Sequence, residues 1–214
     1  MVTDVTIIDY GVGNLLSVSR AFLHCGAEVD ITGDPVRVLS ARRVVLPGVG
    51  AFANGMGALQ SSGMVEALHE VYHRDTPLLG ICLGMQMLMD KSEEFGDTVG
   101  LGLISGSVVP IPSFTMDGVP HKIPHIGWNG LRPTLGAASW NGSLLDGIRA
   151  SDSVYFVHSF MAKPTDDDFR LADCLYGGVR VPAVVQRFNV MGCQFHPEKS
   201  GEVGLRILKN FMRL

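Results

Sequence analysis

The cysteine at position 82 is the residue whose surroundings most clearly indicate chemistry. It lies in the run Gly80-Ile81-Cys82-Leu83-Gly84, after an apolar stretch typical of a buried strand and before a stretch with helical spacing. A sharp strand-to-helix turn that presents a nucleophilic side chain is a nucleophile elbow, here with Cys in place of Ser. Glycine on either side lets the backbone bend and lets the helix approach the strand closely. We therefore predict that Cys82 is a nucleophile.

The same turn favours a reactive thiol. The positive end of the helix dipole lies beneath residue 82 and stabilises a thiolate, and the backbone N–H of Leu83 can hold an oxyanion. The alternative is an inert buried cysteine in a glycine-rich turn, because free Cys is among the most buried residue types. Cys25, Cys174 and Cys193 have no comparable context, and we interpret them as structural free thiols.

The segment Gln194-Phe195-His196-Pro197-Glu198-Lys199-Ser200 contains a candidate general base. A cysteine nucleophile needs an imidazole that takes its proton and later returns it to the leaving amine. His196 follows a predicted strand, at the level where the elbow would stand. Pro197 holds the chain extended, so that Glu198 can contact the far imidazole nitrogen and fix its tautomer. His-Pro-Glu alone is typical of a surface turn, but combined with the elbow it predicts a Cys82–His196–Glu198 triad.

Alternating strands and helices position these residues in the first half of the chain. Short apolar runs predict strands at residues 5–8, 28–32, 44–46 and 78–81, and Pro47-Gly48 is expected to break the third. Amphipathic spacing predicts helices at residues 14–25, 52–59, 64–72 and 83–89. Such alternation is typical of a parallel sheet covered by helices on both faces.

The second half has a different character. Residues 105–133 contain many prolines and glycines and few helical periods. We predict a strand at residues 154–157, a hairpin formed by residues 181–188 and 190–195, and a last helix at residues 203–212. No internal repeat or linker stands out, so we predict one domain over residues 1–214.

Composition and charge exclude several classes of function. Hydrophobic residues make up 46% and charged residues 18%, as in folded globular chains. The net charge of -4, without a dense Lys/Arg block, argues against a nucleic-acid partner. Met1-Val2-Thr3-Asp4 precedes no signal-peptide pattern, and no apolar run is long enough to span a bilayer, so no membrane partner is expected. His and Cys do not cluster at metal-ligand spacing, and free thiols favour a cytoplasmic location.

Six segments make the chain resemble the class I, triad-type glutamine amidotransferases over nearly its whole length. In that family Gly-x-Cys-x-Gly and His-x-Glu supply the catalytic triad. The first and fourth segments more narrowly resemble the glutaminase subunits of imidazole glycerol phosphate synthase, which act in histidine biosynthesis. The segments are Asp9-Tyr10-Gly11-Val12-Gly13-Asn14-Leu15, Pro47-Gly48-Val49-Gly50, Gly80-Ile81-Cys82-Leu83-Gly84-Met85-Gln86, Pro124-His125-Ile126-Gly127-Trp128-Asn129, Tyr155-Phe156-Val157-His158-Ser159-Phe160 and Gln194-Phe195-His196-Pro197-Glu198-Lys199-Ser200.

The resemblance implies a fold, a reaction and a partner. The fold is α/β, a class I glutamine amidotransferase-like (flavodoxin-like) three-layer architecture with a mixed, mainly parallel central sheet. The reaction is hydrolysis of L-glutamine to L-glutamate and ammonia, with no metal or organic cofactor. The ammonia would pass to a cyclase subunit that forms imidazole glycerol phosphate and an aminoimidazole carboxamide ribotide (AICAR). That subunit is a (β/α)8 barrel in the family and needs about 250 residues, so a heterodimer of separate chains is expected.

By the same resemblance, Pro47-Gly48-Val49-Gly50 is the oxyanion loop. The backbone N–H of Val49 or Gly50 would be the second oxyanion donor, beside that of Leu83. In the family this loop is thought to be misaligned until the partner is loaded, and two glycines around Val49 make a peptide flip sterically easy. Glutaminase activity is therefore expected to depend on the partner.

Four residues are implied as contacts for the substrate glutamine. Gln86 lies one helical turn after Cys82 and shares its face. Glu94 would meet the substrate ammonium, although a solvated charge is the alternative. Ser159 and Phe160 would bind the substrate carboxylate, largely through backbone N–H groups. Many relatives carry Tyr at the position of Phe160, and a backbone role is compatible with that difference.

Three residues are implied at the interface with the partner, namely Asn14, Trp128 and Lys199. The segment Gly11-Val12-Gly13 before Asn14 also resembles a dinucleotide-binding loop. The third glycine of that fingerprint would fall at position 16, which is Leu16, so nucleotide binding is not expected.

Three other functions are compatible with parts of this pattern. A paralogous amidotransferase would supply ammonia to another synthase, such as one that modifies surface sugars. Copurification with a barrel subunit that turns over the histidine-pathway ribonucleotide would distinguish the synthase subunit from this paralogue. A non-enzymatic interaction module would not need the intact triad. A free-standing cysteine peptidase would cleave peptides that contain no glutamine, and nothing in the sequence favours it.

Overall fold

The computed structural model describes residues 3–134 and 139–214. Met1, Val2 and residues 135–138 of the predicted domain lie outside the described residues. The helices are α1 Leu15–His24, α2 Pro35–Leu39, α3 Phe52–Ser61, α4 Met64–His73, α5 Leu83–Met87 and α6 Gly201–Phe211. The strands are β1 Val5–Ile8, β2 Val29–Thr32, β3 Val44–Gly48, β4 Leu78–Cys82, β5 Lys91–Ser92, β6 Thr98–Val99, β7 Gly106–Pro110, β8 His125–Gly130, β9 Arg132–Pro133, β10 Ser153–His158, β11 Phe160–Pro164, β12 Arg170–Tyr176, β13 Val179–Arg187 and β14 Val190–Cys193.

A mixed sheet of eight strands forms the centre of the described chain. Its order is β2-β1-β3-β4-β14-β13-β12-β9. The strands from β2 to β14 are all parallel, and the last three are antiparallel to their neighbours. The expected mixed, mainly parallel sheet is therefore confirmed.

Helices cover both faces of this sheet and give it three layers. Successive side chains of a strand point to opposite faces, and β1 shows the consequence. Ile7 packs in a cluster with Phe22 of α1 and Leu208 of α6. Ile8 packs in the other cluster, with Leu59 of α3 and residues of α2, α4 and α5. Each helix thus buries an apolar face against the sheet.

The strand order brings three parts of the candidate site to one edge. Strands β3, β4 and β14 are parallel neighbours, so their carboxyl ends meet at the same edge of the sheet. The strand β4 ends at Cys82, β3 ends at Gly48 before the predicted oxyanion loop, and β14 leads to His196. Residues far apart in sequence therefore become neighbours.

Most of the predicted elements are present, with shifted ends. The four strands and four helices of the first half occur within two or three residues of the predicted bounds, and the hairpin of β13 and β14 is antiparallel as predicted. The short helix α2 was not predicted, although Asp34 caps its first turn by accepting a hydrogen bond from Val36 N at 2.9 Å.

The prediction that Pro47-Gly48 breaks the third strand is wrong. The strand β3 continues to Gly48, with Pro47 opposite Ile81 and Gly48 opposite Cys82 of β4. A proline is tolerated here because pairing with β1 has already ended at Val45, so the missing N–H costs no ladder bond. The Pro47 carbonyl on that side accepts a hydrogen bond from Tyr10 Oη at 2.7 Å.

Two smaller sheets were not predicted, apart from the strand β10. The strands β8 and β10 pair antiparallel, His125 opposite His158 and Trp128 opposite Tyr155, and we call this pair the β8–β10 ribbon. A four-stranded sheet has the order β11-β7-β5-β6. The strands of the four-stranded sheet have at most five residues each, and β8 contains two glycines, so their hydrophobic periodicity is weak.

The turn between β4 and α5 requires glycine at two positions because the backbones are close. A Cβ atom on Gly84 would lie 1.8 Å from the carbonyl oxygen of Leu46 in β3, and one on Gly80 would lie 2.7 Å from the backbone of Gly84. Both distances are far below van der Waals contact. The glycines flanking Cys82 thus allow α5 to press against β3 and β4.

We predict that Gly84→Ala destabilises the fold, whereas Gly57→Ala does not. The first substitution forces a methyl group into the Leu46 carbonyl, and such overpacking costs about 3 kcal/mol or more. Gly57 lies in α3, where an added Cβ meets no atom within 4 Å; there alanine stabilises a helix by about 0.5–1 kcal/mol. Urea denaturation of both variants measures the two effects, and equal free energies of unfolding would contradict the prediction.

Candidate active site

Cys82 occupies a strained position between β4 and α5. Its backbone has φ 55° and ψ -109°, a region that residues other than glycine rarely adopt. Such strain persists only where the surrounding packing enforces it, and it is typical of functional sites. The residue is 7% exposed. This is the conformation expected of a nucleophile elbow.

His196 and Glu198 form a buried pair at the same edge of the sheet. The Nδ1 atom of His196 lies 2.8 Å from Oε1 of Glu198, and the two side chains are 3% and 1% exposed. A 3-10 turn over Pro197–Lys199 folds the carboxylate back onto the ring. Ser200 Oγ donates to the His196 carbonyl at 2.6 Å, which holds the turn in place. The predicted contact between Glu198 and the far imidazole nitrogen is therefore present.

The electrostatics of this pair favour a protonated imidazole. Burial alone lowers the pKa of His196, but attraction to the neighbouring Cys82 sulfur and to the Glu198 carboxylate outweighs it and raises the pKa to about 9. Among the described residues, Nε2 of His196 has no hydrogen-bond partner with regular geometry. The sulfur of Cys82 is thus close enough to influence the ring without forming a regular hydrogen bond, and Nε2 is available for proton transfer.

Two further groups contact the thiol. The sulfur of Cys82 lies 3.9 Å from the Val157 carbonyl of the β8–β10 ribbon and 3.9 Å from Nε2 of Gln194. Gln194 is completely buried, and the sequence analysis did not include it in the site. The available signal was its position two residues before His196, since alternate residues of an extended segment share a face.

The predicted oxyanion loop lies beside the nucleophile. Gly48 is paired with Cys82 across β3 and β4, and Val49 and Gly50 follow it directly. Val49 is 42% exposed, and Gly50 has φ +97°, which favours glycine. Leu83, the other predicted donor, is the first residue of α5. The structure thus places the predicted oxyanion loop and Leu83 beside Cys82, and donation by their N–H groups to an oxyanion stays a prediction.

Gln86 and Phe160 contact each other directly. The side-chain Nε2 of Gln86 donates to the Phe160 carbonyl at 3.0 Å and to Oε1 of Gln194 at 3.1 Å. Ser159 lies between β10 and β11, and its carbonyl accepts from Ile111 N at 2.9 Å. Three of the four predicted glutamine contacts therefore adjoin one another, and Gln86 is joined to the thiol through Gln194.

The sequence also matches a known protein family over nearly its whole length. The family described as "Glutamine amidotransferase class-I" matches residues 6–214, a range that contains the elbow, the loop and the His196–Glu198 pair. The chain belongs to the class-I glutamine amidotransferase family.

Similar proteins are found among curated sequences and solved structures. "Imidazole glycerol phosphate synthase subunit HisH 1" of Legionella pneumophila (strain Lens) is 52% identical over 212 residues, which cover 99% of this chain and 100% of the relative. "Imidazole glycerol phosphate synthase subunit HisH" of Geobacillus thermodenitrificans is 47% identical over 210 residues, which cover 98% and 95%. The structure titled "Structure of PurLQS from Thermotoga maritima" has a TM-score of 0.74 at 19% identity and covers 100% of this chain and 99% of that one, a similarity of fold alone.

Glu94 has a contact that the resemblance to glutamine amidotransferases did not suggest. Its Oε2 accepts a hydrogen bond from the backbone N–H of Phe52 at 2.6 Å. Phe52 is the first residue of α3, and the N-cap residue Ala51 offers no side-chain bond. The carboxylate therefore caps the helix that follows the oxyanion loop. A contact with a substrate ammonium stays a prediction.

The three predicted interface residues of this amidotransferase lie in three different elements around the candidate site. Trp128 is 59% exposed and points away from the core of the β8–β10 ribbon, its ring 6.1 Å from that of Tyr155. Lys199 is exposed beside the triad. Asn14 is half-buried and caps α1, its Oδ1 accepting from Ser17 N at 3.4 Å. Their contact with a partner stays a prediction.

Within residues 3–134 and 139–214, no cluster of His, Cys, Asp or Glu has the arrangement of a metal site. The helices of the same ranges lack the combined length and apolar character that a membrane span requires.

We predict that the pKa of His196 is about 9 and falls in Glu198→Gln. An ordinary histidine has a pKa of about 6.5, and removing the carboxylate removes one of the groups that hold the proton. Titration of the imidazole carbon-bound protons by NMR measures this value, with His196→Gln to assign the signal. An unchanged pKa in Glu198→Gln would contradict the prediction.

The same shift has a consequence for stability. Because the pKa in the folded state lies above the value in the unfolded state, folding is favoured by this group below about pH 6.5. That contribution is lost as the pH rises through about 9.

Proposed function

We propose that this chain is the glutaminase subunit of imidazole glycerol phosphate synthase. It hydrolyses L-glutamine to L-glutamate and passes the ammonia to a cyclase subunit, which makes imidazole glycerol phosphate and AICAR in histidine biosynthesis. The observation that carries the proposal is the strained Cys82 beside an imidazole that Glu198 holds. The choice of synthase is supported by relatives that carry its name at 52% and 47% identity. These relatives do not favour the alternative, an amidotransferase that supplies ammonia to a different synthase.

Cys82 begins the reaction by attacking the side-chain carboxamide of glutamine. The thiol proton first passes to Nε2 of His196, whose raised pKa favours the imidazolium, and Sγ then forms its bond to the carboxamide carbon as a thiolate. Glu198 accepts a hydrogen bond from Nδ1, which directs the transferred proton to Nε2. The carboxylate also stabilises the imidazolium.

The tetrahedral intermediate carries its negative charge on the former amide oxygen. Backbone N–H groups of Leu83 and of Val49 or Gly50 are the proposed donors. The exposure of Val49 and the positive φ of Gly50 support a loop that can change its peptide orientation. A misaligned second donor would keep the enzyme slow until the partner realigns it.

Collapse of the intermediate releases ammonia. The carbon–nitrogen bond breaks as the His196 imidazolium returns its proton to the leaving nitrogen, and a γ-glutamyl thioester on Cys82 remains. Water then attacks the thioester carbon while His196 takes a proton from it. The carbon–sulfur bond breaks, Cys82 is regenerated next to the protonated His196, and L-glutamate leaves. These steps use side chains and backbone of this chain and call for no metal or organic cofactor.

Gln86, Glu94, Ser159 and Phe160 are proposed to hold the substrate glutamine. The first and last are joined by a hydrogen bond, and backbone N–H groups near Ser159 and Phe160 would bind the substrate carboxylate. Because this binding uses the backbone, Phe in place of Tyr at position 160 is compatible with it.

The ammonia is useful only if it reaches the partner before water protonates it. A (β/α)8-barrel cyclase needs about 250 residues, so we propose a heterodimer of two chains in the cytoplasm, with one amidotransferase domain over residues 1–214. The exposed Trp128 and Ile126 on the outer face of the β8–β10 ribbon support docking there, together with Asn14 and Lys199.

We predict that Cys82→Ala abolishes glutamine hydrolysis in the presence of the cyclase subunit and its ribonucleotide. Loss of a nucleophile from a triad lowers the turnover rate by at least about 1000-fold. The matched control is Cys25→Ala, since the Cys25 thiol donates to the Leu205 carbonyl and not to a triad residue. Glutamate release is measured for both variants. Wild-type rates in Cys82→Ala would refute the mechanism, and stimulation by a different synthase alone would refute the choice of partner.

We predict that Trp128→Ala weakens the complex with the cyclase subunit by tenfold or more. Exposed aromatic residues at an interface centre often contribute about 2 kcal/mol or more to binding. The control is Phe188→Ala, since Phe188 is 73% exposed but lies in the β13–β14 turn, at the opposite edge of the sheet. Isothermal titration of each variant with the cyclase subunit gives the two affinities, and equal losses would contradict this docking face.

A further inference from the structure

Two buried histidines lie behind the proposed glutamine site. His125 of β8 and His158 of β10 are opposite each other in the β8–β10 ribbon, and they are 2% and 6% exposed. The Nδ1 atom of His125 lies 3.0 Å from Nε2 of His158. The Nδ1 atom of His158 lies 2.8 Å from the carbonyl oxygen of Phe160. The mechanism above uses neither residue.

The surroundings of this pair keep both rings uncharged. The His125 ring is stacked on Phe156 and on Tyr176, at centroid distances of 4.7 and 4.1 Å. Burial lowers the pKa of His125 to about 4. Burial likewise lowers the pKa of His158 to about 3, although its bond to Phe160 works in the other direction. At neutral pH each ring therefore has one N–H donor and one acceptor.

The contacts determine which nitrogen of each ring carries the proton. A carbonyl oxygen only accepts, so Nδ1 of His158 must be the donor to Phe160. Its Nε2 is then an acceptor, and Nδ1 of His125 must donate to it. The opposite tautomer of His158 would place a lone pair 2.8 Å from the Phe160 oxygen, which is repulsive.

The chain of hydrogen bonds continues from Phe160 to the nucleophile. The Phe160 carbonyl accepts a second bond, from Nε2 of Gln86 at 3.0 Å. The remaining proton of that amide goes to Oε1 of Gln194 at 3.1 Å, so the amide of Gln194 turns its Nε2 toward Cys82 Sγ, 3.9 Å away. In each of these hydrogen bonds, only one assignment of donor and acceptor satisfies both partners.

We propose that His125 and His158 are positioning residues, which fix the direction of the Phe160 carbonyl and of the Gln86 carboxamide and so shape the glutamine-binding site. This inference rests on the proposed function, because it takes Gln86 and the backbone around Phe160 as substrate contacts. The pair lies on the inner face of the same ribbon whose outer face carries Trp128. Neither histidine touches the reacting atoms, so the expected effect is on the KM for glutamine more than on kcat.

The wild-type tautomers provide a test that needs no variant. We expect nitrogen-15 NMR of the full chain to show protonated Nδ1 and unprotonated Nε2 in both rings at pH 7. A proton on Nε2 of His158 would overturn the proposal.

A matched pair of substitutions tests the effect on the substrate. In His158→Asn, the side-chain nitrogen is as many bonds from Cα as Nδ1 of histidine, so the donor to Phe160 is kept. In His158→Gln, the polar atoms correspond to the position of Nε2, so that donor is lost. We expect the KM for glutamine to rise about tenfold in His158→Gln and to stay within about threefold of wild type in His158→Asn, as loss of one buried hydrogen bond predicts.

The measurement is glutamine hydrolysis by the complex with the cyclase subunit, with thermal unfolding of each variant as a check on folding. Equal KM values in the two variants would overturn the proposal. If His158→Gln does not fold, His125→Asn and His125→Gln give the same comparison, since only the former keeps the donor to His158. Inactive wild-type complex would instead refute the proposed function, and so the two failures are distinguishable.

Discussion

The approach of Gly84 to the Leu46 carbonyl is the constraint on which the site depends. With no Cβ at position 84, α5 lies directly against β3, and the chain can leave β4 only through a sharp turn. That turn forces Cys82 into a conformation with φ 55°, so its sulfur projects at the sheet edge. The loop after β3 and the histidine after β14 end at the same edge, because β3, β4 and β14 are parallel neighbours.

Polar groups around the thiol are fixed by a hydrogen-bond network whose members are far apart in sequence. Glu198 orients His196, Gln194 faces the sulfur, and Gln86 joins Gln194 to the Phe160 carbonyl. Buried donors and acceptors of this kind each require a partner, so the whole arrangement has few alternatives. The predicted oxyanion loop is different, since Val49 is exposed and Gly50 has a positive φ. A fixed base beside such a loop fits the proposed partner-dependent glutaminase.

Most of the first half of the fold was predictable from hydrophobic periodicity, and so were β10, the β13–β14 hairpin and α6 of the second half. Buried parallel strands and amphipathic helices repeat clearly through α5, but the short helix α2 was missed and the continuation of β3 through Pro47 was misjudged. The strand β12, the ribbon and the four-stranded sheet are defined by pairing with distant strands, which leaves a weak local pattern. The capping of α3 by Glu94 across 42 positions has no local signature either.

The sequence by itself determined the chemistry. Glycines around a cysteine and a His-Pro-Glu segment predict the nucleophile, the base and its orienting carboxylate, because local backbone geometry presents each of them. The tertiary structure alone decided which groups meet. Strand order and register determine three of these contacts: Gln194 at the sulfur, Glu94 at the start of α3, and the His125–His158 pair behind Phe160. Hydrogen-bond partners that are far apart in sequence are chosen only when the sheet is assembled, since a side chain within a segment cannot specify which distant donor or acceptor it will find.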